Sequence, residues 1–275
     1  ETDYQQFLLA ADEGQNTPGL RATWLGVSTV LLDDGEHALL IDPFLTRPQG
    51  WGRLIMDRSI RSDAQVIRQW LSHDVLHRLR AMTAGHSHYD HVMDAGQIGL
   101  MSDAVLYGSA STLNVGRGAG MPESRLKLAV PGQHEHFGPY TVTYIQSAHG
   151  GATRGEPTGD IDQPLAPDAS YSDYRQGGSW SILVEHPLGS ILHHGSAGYV
   201  PGALDGYEAD VVLLGIALRS DLDEYLQNVV DAVGAQRVIP THWDDFSKSL
   251  DEPMMPLPIG VDPVSNTHIR AHETK

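Results

Sequence analysis

Apolar positions along this chain follow two rhythms, and the first to appear is that of strands. Residues 22–32 and 37–41 are apolar and β-branched, and the Asp33-Asp34-Gly35 between them has turn chemistry, so a strand pair is expected there. Over 43–62 the pattern is lost among Pro43, Pro48, Gly50, Trp51 and Gly52, which predicts an irregular loop. Helical spacing takes over at Val66, Ile67, Trp70 and Leu71. With Asp63 in the capping position, it predicts one helix to about Leu79.

Residues 81–84 and 104–107 are short strand candidates, with helix or loop between them to about Ser102. The glycine-rich 116–120 reads as a loop, because its G-x-G lacks the following helix and acidic residue of a dinucleotide site. Residues 140–147 alternate as a strand and run into His149. From 150 to 178 periodicity vanishes, and 150–167 alone holds seven glycines and prolines, so a functional lid is expected there. Strands resume at 180–184, 190–193 and 211–214. An amphipathic helix follows over 222–233, then a short strand at 237–239 that ends in Pro240-Thr241-His242.

Each half thus runs from strands into helix. That order predicts an α/β protein, an αβ/βα four-layer sandwich with two mixed sheets packed face to face and helices outside. A polar arm over 1–19, a single domain over 20–250 and a proline-rich tail over 251–275 packed on it complete the expected organisation.

Charge narrows the function. With 18 basic against 35 acidic side chains the formal charge is −17, which disfavours nucleic acid and anionic lipid as partners and leaves a small-molecule substrate. No apolar run reaches the roughly 18 residues of a membrane span. The absence of cysteine removes thiolate ligands, a cysteine nucleophile and disulfides. The chain begins with Glu1, so the compartment stays open between the cytoplasm and, if a signal peptide was removed, the periplasm or exterior.

Histidine is the outlier at 15 residues, three of them within Gly85-His86-Ser87-His88-Tyr89-Asp90-His91. A zinc site needs neutral imidazoles and carboxylates about 2.0–2.2 Å from one ion. Two apart in extended backbone, His86 and His88 project to one side and can share an ion. Asp90 and His91, one turn on, can face a second. A serine hydrolase fits less well, since Gly195-Ser196-Ala197-Gly198 is not G-x-S-x-G.

The run from His86 to His91 resembles the H-x-H-x-D-H signature of the metallo-β-lactamase superfamily. Trp24-Leu25-Gly26 with Leu40-Ile41-Asp42-Pro43, Ala209-Asp210-Val211-Val212-Leu213-Leu214, and Ile239-Pro240-Thr241-His242 extend the likeness. They are similar to elements of the branch containing L-ascorbate-6-phosphate lactonase and N-acylphosphatidylethanolamine phospholipase D. The resemblance implies His86, His88 and His149 around a first metal ion, and Asp90, His91 and His242 around a second. Zinc is the expected metal, with manganese or iron as alternatives. It also implies a hydrolase in which hydroxide generated at the ions attacks a small ester or lactone, with Asp90 both ligating and orienting the nucleophile. The alternatives are phosphodiester or phospholipid head-group hydrolysis, β-lactam hydrolysis, and a catalytically weak metal- or ligand-binding protein.

Two departures from the family pattern matter. The bridging aspartate expected in the turn His193-His194-Gly195-Ser196-Ala197-Gly198 is Ser196, so one anionic charge is lost and the second ion should bind more weakly. His194 could substitute as a ligand, although a hydrogen-bonded core role is favoured for both His193 and His194. Val27 stands where the branch often has histidine. Asp42, at a strand end, is expected to hold a ligand imidazole from behind. Trp51 and Trp243, with Met254 and Met255, are candidates to line a substrate pocket.

Overall fold

In the computed structural model, which describes residues 19–151 and 156–258, the strands arrange themselves into two sheets of six. In the first, β1 (Arg21–Trp24), β2 (Val30–Asp33) and β3 (Ala38–Ile41) are antiparallel neighbours. The sheet continues in parallel through β4 (Leu79–Thr83), β5 (Val105–Gly108) and β6 (Leu126–Leu128). The second repeats the scheme. An antiparallel run of β7 (His134–Phe137), β8 (Tyr140–Gln146), β9 (Trp180–His186) and β10 (Gly189–His194) is followed by parallel β11 (Val211–Gly215) and β12 (Arg237–Thr241).

Side-chain alternation explains the layering. Val30, Leu32, Leu39 and Ile41 of the first sheet pack with Val142, Tyr144, Ile182 and Val184 of the second, forming the core between the sheets. Their neighbours Leu31, Leu40 and Met82 point the other way, onto Ile67 of α2 (Ala64–Trp70), Leu76 of α3 (His73–Arg78), Ile98 of α5 (Ala95–Met101) and Leu113 of α6 (Ala110–Ala119). On the far side Leu183, Leu192, Val212 and Leu214 cover Tyr225, Leu226 and Val229 of α7 (Leu222–Val229). Strands clothed on both faces need apolar residues at every position, which is why β3 reads Ala-Leu-Leu-Ile and is buried throughout. The expected αβ/βα four-layer sandwich is the observed fold.

Several local expectations are corrected. The strand predicted over 22–32 is two strands, split by a turn in which Leu25 N donates to Thr29 O and Thr29 N to Gly26 O. Gly26 and Val27 have φ of 88° and 49°. A Cβ on Gly26 would lie 1.9 Å from Arg47 Nη2, so only glycine fits. The helix predicted from Asp63 to Leu79 breaks at Leu71. Asp63 caps α2 and Ser72 caps α3, each accepting a backbone N–H.

Within the loop at 43–62 a single helical turn, α1 (Gly52–Ile55), forms, and α4 (Tyr89–Val92) follows the histidine pair. The glycine-rich 116–120 is not a loop but the end of α6. Its glycines admit close neighbours: a Cβ on Gly116 would meet Leu106 and Leu126, and one on Gly118 would meet the Leu165 backbone. The helix expected over 222–233 stops at Val229, with a 3-10 turn over Asp231–Val233. Residues 251–258 fold back on the segment after His242, where Asp245 N donates to Met255 O and Leu257 N to Trp243 O. The arm over 1–18 and the tail from 259 lie outside the described residues. Among those described, no helix is long and apolar enough to cross a membrane.

Candidate metal centre

The segments that follow β3, β4, β8, β10 and β12 converge on one edge of the sandwich, at the carboxyl ends of parallel strands where open α/β sheets carry their ligands. Beyond β3 comes Asp42, whose Oδ1 accepts from Gly85 N at 2.7 Å and so fixes the start of the histidine run beyond β4. Ser87 is tied to the loop over 156–178 by Ser87 N to Gln176 O (2.8 Å) and Ser87 Oγ to Arg175 O (2.6 Å). α4 then carries Asp90 and His91 around one turn. His242, past β12, donates its N–H to Val27 O at 2.6 Å. Val27, Asp42 and His242 all hold positive φ (49°, 49° and 56°), an uncommon conformation for non-glycine residues that concentrates backbone strain at this edge.

Two triads result. His86, His88 and His149 form one and Asp90, His91 and His242 the other, the candidate ligand atoms of each lying within 4.8 Å of one another. The five rings are contiguous: centroids lie 4.7 Å apart for His86 and His88, 4.7 Å for His86 and His149, 3.7 Å for His86 and His91, and 5.3 Å for His91 and His242. Packing of the first triad's three imidazoles this closely disfavours charge on them. Burial, reinforced by neighbouring histidines, holds His86 well below its ordinary pKa, and it brings His149 down to about 4. The fit to a metal shows in the ring nitrogens. His86 Nε2 and His91 Nε2 are buried with no hydrogen-bond partner among the described residues, and an ion in the centre would satisfy them.

Asp42 completes the second triad from behind. It is fully buried, and its Oδ2 accepts from His91 Nδ1 at 2.8 Å, which leaves Nε2 as the lone-pair nitrogen facing inward. Burial alone would depress His91, but the carboxylates of Asp42 and Asp90 outweigh it and raise its affinity for positive charge. Asp90 Oδ2 lies 3.4 Å from His242 Nε2 and 3.9 Å from His91 Nε2. Burial would raise the Asp90 carboxyl, but His91 and His242 hold it far below the usual range, so it is ionised. Asp42→Asn would present an amide N–H to His91 Nδ1 and reverse the tautomer. A roughly 10–100-fold loss of affinity for the ion at the second triad is expected, read by metal titration.

Two mixed six-stranded sheets between helical layers, with H-x-H-x-D-H at their edge, decide the architecture. It is the metallo-β-lactamase fold. No family model matches the chain. A UPF0173 metal-dependent hydrolase of Desulforamulus reducens is 23% identical over 246 residues, covering 85% of this chain and 89% of the relative. One from Pyrobaculum arsenaticum is 24% identical over 238 residues, covering 85% and 88%. Among solved structures, Igni18, a metallo hydrolase of Ignicoccus hospitalis, superposes with a TM-score of 0.59 at 14% identity over 92% of this chain and 91% of that one. An isothiocyanate hydrolase from Delia radicum gut bacteria gives 0.54 at 16% identity over 92% and 90%.

Other candidate residues occupy this metallo-β-lactamase edge without joining the triads. His194 is buried and bonds both nitrogens to protein, Nδ1 with Ser181 Oγ (2.7 Å) and Nε2 with Gly198 O (2.8 Å), the arrangement of a hydrogen-bonded core histidine. His193 Nε2 donates to Ser28 O at 2.8 Å. Ser196 Oγ accepts from Gly150 N at 2.8 Å, which braces the residue after His149. Trp51 packs against Phe246 with ring centroids 5.1 Å apart and planes tilted by 57°, and Phe246 lies 6.1 Å from His242, so Trp51 extends an aromatic wall beside the second triad. Trp243 instead packs on Trp24 at 5.2 Å.

Burial brings the His194 pKa down to about 4 from an ordinary 6.5. The unfolded chain therefore takes up this proton below about pH 6.5 and the native state only near pH 4, so stability falls as pH drops through that window, by up to about 3 kcal/mol. Urea denaturation of metal-free protein between pH 7 and 4 is expected to show this loss, reduced in His194→Gln.

Sequence reasoning missed two buried carboxylates. Asp94 Oδ2 accepts from Leu45 N and Thr46 N, both at 2.6 Å, with Ser62 Oγ on Oδ1, and so pins the loop over 43–62 beside α4. Asp244 pairs with Arg47 at 2.7 Å and accepts from Val27 N at 2.7 Å, clamping the His242 segment to the 25–29 turn. The partners of Asp244 are 197 and 217 residues away in sequence, so no local signal marks it. For Asp94 the only hint is its position three residues beyond His91.

Proposed function

We propose that this chain is a metal-dependent hydrolase that holds one divalent ion in each triad and acts on a small ester or lactone. The observation that carries the reading is the arrangement of the ring nitrogens. His88, His91 and His149 each bond one nitrogen to a protein oxygen and turn the other inward, while His86 Nε2 and His91 Nε2 are otherwise unsatisfied. Relatives named metal-dependent hydrolases support it. Bound divalent ions would supply Lewis acidity toward a carbonyl or phosphoryl oxygen and bring the pKa of water to about 7.

The protein's own groups position that chemistry. Asp90 stays ionised, so it holds an orientation and does not shuttle a proton. Asp42 fixes the His91 tautomer, and the wall of Trp51, Phe246, Tyr89 and Tyr171 excludes water on one side. The ester or lactone assignment rests on charge. The net charge of −17 disfavours polyanionic substrates, and Arg47, the cation behind the His242 turn, is neutralised by Asp244. We place the chain nearest the lactonase and phospholipase D branch on the Asp42-Pro43 and Pro240-Thr241-His242 elements.

A panel of esters, lactones, phosphodiesters, β-lactams and isothiocyanates, run before and after chelation, tests this function. Ester or lactone turnover that disappears on chelation and returns with zinc, manganese or iron is expected. Turnover indifferent to chelation would refute it, and exclusive phosphodiester turnover would move the substrate to the head-group alternative. Ser196→Asp is expected to add a carboxylate between the ions and tighten the second one in a zinc titration, its burial compensated by two divalent cations. Unchanged affinity with an intact fold would place position 196 outside the metals' reach.

A further inference from the structure

The first triad has a fourth polar neighbour that the H-x-H-x-D-H pattern does not contain. Glu156 Oε1 lies 3.2 Å from His149 Nε2 and 3.8 Å from His88 Nδ1. Hydrogen bonds on the far side of both rings determine what those nitrogens carry. His88 Nε2 is 2.9 Å from Pro157 O and His149 Nδ1 is 3.1 Å from Gly150 O. A carbonyl oxygen only accepts, so each of these nitrogens holds the ring's proton and the opposite nitrogen presents a lone pair. Two lone pairs therefore converge on a carboxylate oxygen. A cation between them would satisfy all three atoms.

The distances match such a cation. Ligands 2.0–2.2 Å from one tetrahedral ion lie about 3.3–3.6 Å from each other, and the two observed separations bracket that span. The placement is also built. Pro157 O accepts from Gln176 N (3.1 Å) as well as from His88, and Gln176 O in turn accepts from Ser87 N, so the residue next to Glu156 is locked to the histidine run. We propose that Glu156 is the fourth protein ligand of the ion held by His86, His88 and His149, and supplies there the anionic charge that Ser196 does not. This rests on the metal-binding reading of the triads.

One consequence concerns where chemistry happens. Three imidazoles and a carboxylate make a closed four-ligand site of the kind that anchors structure, whereas Asp90, His91 and His242 leave the second ion an open position. A substrate would then reach an ion held by the second triad, beside Phe246, while the 156–178 loop covers the first triad.

Zinc calorimetry and cobalt absorption on metal-free full-length protein test the assignment, using wild type, Glu156→Gln, Glu156→Asp and His88→Ala. Glu156→Gln is expected to weaken the first ion by at least about 10–100-fold, to change the cobalt ligand-field bands and to leave the second ion in place. Glu156→Asp should retain part of the affinity. First-ion affinity and cobalt bands identical to wild type, with His88→Ala losing the ion, would overturn the Glu156 assignment and leave the metal centre standing. No ion bound by wild type would instead remove the metal reading itself.

Discussion

Asp90→Asn is expected to reduce hydrolysis by more than about 100-fold and to lose the second ion, while the first remains bound. The substitution preserves shape, so its effect isolates charge. Asp90 is the carboxylate of its triad, and it faces His242 Nε2 and His91 Nε2 across 3.4 and 3.9 Å. An asparagine there either turns a weaker carbonyl oxygen inward or aims N–H groups at nitrogens that should be lone pairs. Outer partners of metal ligands already contribute one to two orders of magnitude, and a direct anionic ligand should exceed them. Elemental analysis beside turnover separates the two effects. Full second-ion occupancy with unchanged turnover would remove Asp90 from the centre.

The largest stability effect is expected from Asp244→Ala. The Arg47–Asp244 pair is almost inaccessible, its side chains 2% and 1% exposed, and removing the acid strands a guanidinium against Gly26. Breaking a buried pair by deleting one partner costs about 3–5 kcal/mol. For a domain of this size that corresponds to a fall in Tm of roughly 6–20 °C. Val27 N loses its acceptor as well, and Val27 already holds φ 49° and receives the His242 N–H, so binding at the second triad should weaken with stability. Removing both charges together, as Arg47→Met with Asp244→Leu, should recover part of the loss in thermal melts. A single mutant melting within a degree of wild type would contradict the clamp.

Much of the fold was legible in the sequence because the signals were local. Alternation in Val30-Leu31-Leu32 and Ala38-Leu39-Leu40-Ile41 sorts residues onto the two faces that the structure buries separately. The histidine run was equally plain, since four donors within six residues need only one strand end and one helical turn to converge. His149 and His242 were not local signals. Each is a single histidine at a strand end, and only the family resemblance pointed to it.

The misreadings share a cause. Glycines at 116–120 argue against helix by propensity, yet close packing against Leu106, Leu126 and Leu165 requires them there. The apolar run at 22–32 hid a turn that exists because Gly26 yields to Arg47 and Val27 is held by Asp244. Glu156 carries no motif at all, and its position depends on the Pro157 and Gln176 contacts across the loop.

The central claim is that the two triads bind metal. Zinc titration of metal-free protein, with the bound metal counted by elemental analysis, tests it most directly. Uptake of two ions is expected, the first tighter, with His86→Ala losing the first and His242→Ala the second. Wild-type protein that binds no transition metal after reconstitution would contradict it.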